Sequence, residues 1–151
     1  MKYSKFVNSN DSVGLLFWKT SVLWQRKIKE VLQPLDLTHT QFVILAVVEE
    51  LSETIDEITQ KMISDFSMID VMTVSSTIRL LEKKKYICRL ASENDTRAYS
   101  ISNTKIGKER LQEAVKKVEI IDNEFFFDEK QRRNNFMENM QILIDKNKIK
   151  K

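Results

Sequence analysis

A mainly α-helical chain with one small β-hairpin is the fold this sequence predicts, on three observations. Apolar residues recur at three- and four-residue steps along most of the chain. Two glycines and one proline in 151 residues leave little material for the turns of a β-rich fold. One region departs from the helical period. There "YICRL" (86–90) and "YSIS" (99–102) read as short strands on either side of a polar tip that carries Asp95, Thr96 and Arg97.

The first helix runs from Asp11 or Ser12 to Gln33, with Val13, Leu16, Phe17, Leu23, Trp24, Ile28, Val31 and Leu32 at helical spacing. Ser12 suits the N-cap and Pro34 stops the helix. Its large aromatic load (Phe17, Trp18 and Trp24) predicts packing on more than one neighbour. Thr38 opens a second helix, and Gln41 three residues later completes a capping-box pattern. From Phe42 to Val48 the residues are apolar on nearly every side, which predicts a central, buried helix. The acidic stretch "EELSETIDE" links to a short helix over about 58–66, capped by Thr59.

Within "SMIDVMTVSSTIRLLEKKKY", Asp70 or Ser67 caps the next helix. Val71, Val74, Ile78 and Leu81 predict a buried stripe, and Met72, Thr73, Ser75, Ser76, Arg79 and Lys83 the opposite face. The hairpin follows directly. Two long helices finish the chain, the first with Leu111, Ala114, Val115, Val118, Ile121 and Phe125, the second with Phe136, Met140, Leu143 and Ile144. "FFFD" (125–128) marks the bend between them.

Composition narrows the function. One histidine and one cysteine, with no Gly-rich phosphate loop, C-x-x-C or H-E-x-x-H, give no catalytic residues, no metal site and no cofactor site. A single cysteine, Cys88, forms no intramolecular disulfide and fits a reducing compartment. With no signal-peptide pattern and no bilayer-length apolar run, the expectation is a soluble cytoplasmic protein without a membrane partner. The net charge of +3 permits a nucleic-acid partner without requiring one. Its distribution is uneven. Glu49, Glu50, Glu53, Asp56 and Glu57 are acidic, whereas Arg79, Lys83, Lys84, Lys85, Arg89 and Arg97 are basic.

Short helix, turn, helix and hairpin in that order suit duplex DNA. A helix entering the major groove must approach base edges closely, so small polar residues such as Thr73, Ser75 and Ser76 fit there. Arg79 reaches a guanine edge or a phosphate. A hairpin tip with Arg97, oriented by Asp95, suits the negative potential of the neighbouring minor groove. The same pattern also describes a solvated helix pair with a solvated turn, and pattern alone leaves both readings open.

The chain resembles MarR-type transcriptional regulators. The residues that carry the resemblance are Leu37, Thr38, Gln41 and Phe42; then Thr73, Val74, Ile78, Leu81, Glu82, Lys83 and Lys84; then Asp95, Arg97 and Ala98; then Gly107. The first helix, with "LLFWKTSVLWQRKI", is also similar. The sequence departs from the family at Lys85, where glycine is usual, at "SNT", and in the acidity of the linker.

The resemblance implies a winged helix-turn-helix fold with N- and C-terminal dimerisation helices. It implies a single domain over 1–151, with a DNA-binding lobe over 35–105 and helical dimerisation regions over 1–34 and 106–151. It implies a homodimeric, sequence-specific regulator of double-stranded DNA, acting as a repressor on a pseudo-palindromic operator. The recognition helix would contribute Met72, Thr73, Ser75, Ser76 and Arg79, and the wing Asp95, Thr96 and Arg97. His39, Thr59, Gln60 and Lys83 would meet the DNA backbone. Small aromatic or phenolic effectors bind many members between dimer body and lobe, which here would involve Trp18, Trp24, His39 and Phe42. Members that sense oxidants carry the cysteine in the first helix, whereas Cys88 lies in a strand, where a small apolar residue is ordinary. The alternative is a winged-helix protein-interaction module without specific DNA binding.

Overall fold

The computed structural model describes residues 2–93 and 99–148. The chain divides into two compact units, Met1–Val118 and Glu119–Lys151. In order, the elements are a 3-10 turn (Ser9–Asp11), α1 (Val13–Leu32), a second 3-10 turn (Gln33–Leu35), α2 (His39–Ser52), α3 (Gln60–Ser67), α4 (Val71–Lys83), β1 (Ile87–Ala91), β2 (Tyr99–Asn103), α5 (Lys105–Phe125) and α6 (Lys130–Asn147).

Local chemistry sets the helix ends of the first unit. The Leu15 amide donates to Ser12 Oγ at 3.3 Å, capping α1. Pro34 closes it in the second 3-10 turn, and Asp36 turns the chain away at φ 56°. Thr38 and Gln41 form the expected capping box, with the Gln41 amide on Thr38 Oγ1 at 3.1 Å and the Thr38 amide on Gln41 Oε1 at 3.2 Å. α2 is the central helix, with Ile44, Leu45 and Val48 buried. Around it pack Ile28 and Leu32 of α1, Ile63 of α3, Val74, Ile78 and Leu81 of α4, and Ile87 and Ile101 of the hairpin, all buried. Burying each such side chain is worth about 1.5–3 kcal/mol relative to exposing it.

β1 and β2 pair antiparallel, Ile87 opposite Asn103 and Ala91 opposite Tyr99. The Ile101 amide donates to the Ile58 carbonyl at 2.8 Å, which ties the hairpin to the α2–α3 loop. Asn103, in the "SNT" departure, is buried and donates Nδ2 to the Leu45 carbonyl at 2.9 Å and to Glu49 at 3.3 Å. Thr104 caps α5: it accepts the Gly107 amide at 3.0 Å and donates its hydroxyl to the Lys85 carbonyl at 2.6 Å.

Some expectations shift. α3 begins two residues later than 58, because the Thr59 cap leaves Ile58 to pair with β2. Val71 is 53% exposed and lies outside the buried stripe of α4. As the first helical residue it projects past the packed face, which Thr77 completes instead. In α1 only Ile28 and Leu32 are buried, and Val13, Phe17, Trp18 and Leu23 are exposed.

In the second unit, Phe126 and Phe127 pack on Phe136 with ring centroids 5.8 and 5.6 Å apart. α5 ends at Phe125 and α6 starts at Lys130, so the break falls at "FFFD" as expected. α6 buries none of its residues, and Met137, Ile142, Leu143 and Ile144 are exposed. No single described helix is long and apolar enough to cross a membrane.

Candidate nucleic-acid interface

α3, a tight turn and α4 form a helix-turn-helix. Thr59 Oγ1 accepts the Met62 amide at 3.2 Å and starts α3. Met68 ends it in the left-handed region at φ 64°, its amide on the Ser64 carbonyl at 2.9 Å. The Ser64 hydroxyl donates to the Ile69 carbonyl at 2.6 Å, bracing the turn from inside. Asp70 then caps α4, accepting the Thr73 amide at 3.0 Å and the Thr73 hydroxyl at 2.6 Å. The hydroxyl bond, with the amide bond behind it, holds the Asp70 carboxyl below the usual aspartate range.

The outward face of α4 carries Met72, Ser76 and Arg79 exposed, with Thr73 and Ser75 half-buried at its sides. The small polar residues are less free than their chemistry suggests. Thr73 spends its proton on Asp70, and Ser76 donates to the Thr73 carbonyl at 3.1 Å. Both hydroxyls therefore keep only acceptor lone pairs for a further partner, the match for a cytosine or adenine amino group. Arg79 and Lys83 are exposed, and neither pairs with a carboxylate among the described residues.

Two members of the basic cluster are structural instead. Arg89 grips Glu82 through Nε at 3.0 Å and its terminal nitrogen at 3.1 Å, locking β1 to the end of α4. This pairing lowers the Glu82 carboxyl and raises the Arg89 guanidinium from their ordinary values. Lys84 donates to the Asp36 carbonyl at 2.8 Å and to Gln41 Oε1 at 2.9 Å, and pairs with the Asp36 carboxylate at 3.3 Å. Lys85 follows at φ 65°, in the left-handed conformation that favours glycine. Its amide reaches the Glu82 carbonyl at 3.0 Å and the Tyr86 amide the Leu81 carbonyl at 2.9 Å, so the helix ends in a Schellman motif despite the lysine.

The wing residues Asp95, Thr96 and Arg97 lie outside the described residues. The base of the wing is described, and it reveals a residue that sequence reasoning left among the linker acids. Glu57 accepts the Ser92 hydroxyl at 2.8 Å and the Glu93 amide at 2.9 Å. No spacing rule links positions 57 and 92, so only the folded chain shows this clamp.

Of the expected backbone contacts, Thr59 and Gln60 stand half-buried at the start of α3 and Lys83 is exposed at the end of α4. His39, half-buried at the start of α2, sits edge-on to Trp24 with centroids 5.0 Å apart. It also lines a groove of about 480 Å³ together with Arg26, Lys29 and Val22 of α1, Leu37, and Lys84. Trp18, Trp24 and Phe42 are not in that lining; Trp18 is exposed, Trp24 and Phe42 half-buried.

The MarR family model matches residues 37–99, which span α2 to the start of β2. An uncharacterised helix-turn-helix transcriptional regulator, YdcH of Bacillus subtilis (strain 168), is 38% identical over 142 residues, 94% of this chain and 96% of its own length. Among solved structures, S. aureus MepR in complex with DNA superposes with a TM-score of 0.80 at 20% identity, covering 93% of this chain and all of that one. CouR from Rhodococcus jostii RHA1, bound to p-coumaroyl-CoA, gives 0.79 at 16% identity, covering 97% and 100%. Capped helix pair, outward polar face and hairpin stand in the family's order, and a relative of this identity spans nearly the whole chain. The chain therefore belongs to the MarR family of winged helix-turn-helix, DNA-binding transcriptional regulators.

Proposed function

We propose that this regulator works as a homodimeric cytoplasmic repressor on a pseudo-palindromic operator, with half-sites about one helical turn apart. α4 enters the major groove through Met72, Thr73, Ser75, Ser76 and Arg79, and the wing places Arg97 in the minor groove. His39, Thr59, Gln60 and Lys83 meet the phosphates. The lobe corresponds to residues 35–105 of a single 1–151 domain, and 1–34 with 106–151 to the dimer body. The observation that carries this reading is the sorting of cations. Arg89 and Lys84 are tied internally, while Arg79 and Lys83 on the face of α4 pair with no carboxylate among the described residues. The DNA held by MepR, a fold neighbour, supports it. No catalytic role belongs to this reading.

The test is selection of DNA from a random or genomic pool by the purified protein, with binding titrated against salt. The expected result is a pseudo-palindrome bound by two chains. Arg97→Ala should reduce the salt slope by about one unit, and Ser76→Ala or Arg79→Ala should change sequence preference. Equal DNA binding by all three variants would favour the protein-interaction module instead.

A small aromatic or phenolic effector would release the operator by binding one spacing of the two lobes better than the other. The Trp24–His39 ring pair and the groove beside it support such a site, with Trp18 and Phe42 on the same two helices. The acyl-CoA ligand of CouR supports a small-molecule partner of aromatic character. A ligand-induced melting shift that is lost in Trp24→Ala supports that assignment, and an unchanged shift removes Trp24 from it.

A further inference from the structure

At steps of four, three and four residues, Met72, Ser76, Arg79 and Lys83 form one column along α4. It lies opposite the buried Val74, Thr77, Ile78 and Leu81. Three members are polar. Met72, in the first turn, is the exception, and at 79% exposure it is the most exposed large apolar side chain of the helix. Val71 beside it is 53% exposed. An apolar side chain held this far into solvent gains free energy only when a partner covers it.

Position and chemistry specify the partner. The N-terminal residues of a recognition helix are the ones that reach base edges. On those edges the major groove offers donors, acceptors and a single apolar group, the 5-methyl of thymine. The hydroxyls flanking Met72 are already committed within the helix, Thr73 to Asp70 and Ser76 to the Thr73 carbonyl. They leave the first turn with acceptor oxygens around one flexible, polarisable thioether. Resting on the reading of α4 as the groove-entering helix, we propose that Met72 reads a thymine methyl in each operator half-site. Met72 is then a specificity-determining residue, and the operator carries a thymine at a fixed place that no other base replaces without loss.

The experiment uses the full-length protein and the operator recovered by selection. Each thymine is replaced in turn by deoxyuridine, which removes the methyl and keeps every hydrogen-bonding group. Expected is one position per half-site where the change weakens binding about fourfold, or roughly fifteenfold when made in both half-sites, as removal of one buried methyl each predicts. Met72→Ala should bind the parent operator more weakly and show no penalty for deoxyuridine at that position. Met72→Leu should keep the penalty, since it retains an apolar tip. Wild-type binding that is indifferent to every deoxyuridine, or an unchanged penalty in Met72→Ala, overturns the proposal while leaving specific DNA binding intact. A wild-type protein that recovers no preferred sequence overturns the groove-entering reading itself, and the proposal with it.

Discussion

Lys85 shows how a single backbone angle constrains the join between helix and wing. With φ at 65° it occupies a conformation that costs an L-residue roughly 1 kcal/mol relative to glycine. Lys85→Gly should therefore raise stability by about 1 kcal/mol in urea unfolding without changing the wing. Gly107 is the converse case. A Cβ there would stand 2.0 Å from the Tyr86 carbonyl oxygen, a backbone atom that cannot turn aside. Gly107→Ala should destabilise by about 1–3 kcal/mol, as overpacking does. Asp70 adds a pH dependence. Its carboxyl titrates lower in the folded chain than in the unfolded one, because Thr73 hydrogen-bonds the ionised form. Folding is thus favoured while Asp70 is charged, and that contribution is lost as pH falls below the ordinary aspartate value of 3.8. Asp70→Asn keeps a capping side chain but does not titrate. Its melting temperature should lie below that of the wild type at neutral pH and converge with it in acid. Parallel curves would count against the assignment.

At the scale of elements, the wing is held to the helix-turn-helix at two carboxylates. Glu82 binds Arg89 across the α4–β1 join, and Glu57 binds the far end of β1 through Ser92 and Glu93. Glu57 thus fixes Ser92 and Glu93, the last described residues before the tip. Glu57→Ala should weaken operator binding and reduce the salt slope by about one unit, the signature of a lost wing contact. Glu57→Gln should restore both, because its amide oxygen accepts from the Glu93 amide while its nitrogen donates to Ser92. Equal behaviour of the two variants would assign Glu57 a role in general stability alone.

At the scale of the whole molecule, apolar surface left by the folded chain argues for a second copy. The exposed Val13, Phe17 and Trp18 of α1 have no cover within the first unit, and α6 buries nothing while exposing Met137, Ile142, Leu143 and Ile144. Patches of this kind on separate helices are what an obligate interface, typically about 2,000 Å² or more, draws together. Sedimentation equilibrium should give twice the chain mass of 17.8 kDa. Leu143→Glu combined with Phe17→Glu should yield monomers or unfolded chain, with loss of operator binding. A wild-type monomer that binds its operator tightly would remove the dimer from the proposal.

Much of this was legible in the residues. Apolar period, the Ser12, Thr38 and Thr59 caps, a cap at Asp70 or Ser67 ahead of α4, Pro34 and the polar tip between two β-prone stretches located every helix and the hairpin within a few residues, because caps and periodicity are local effects. The polar face of α4 was visible for the same reason. Tertiary packing decided what local rules cannot reach. It exposed Val71, turned Arg89 and Lys84 from surface charge into internal ties, took the protons of Thr73 and Ser76, and recruited Glu57 from an acidic linker. Side-chain pattern alone determines which face of a helix is apolar. Which charges remain for a partner depends on carboxylates and carbonyls brought close from distant positions, and only the folded chain sets those distances.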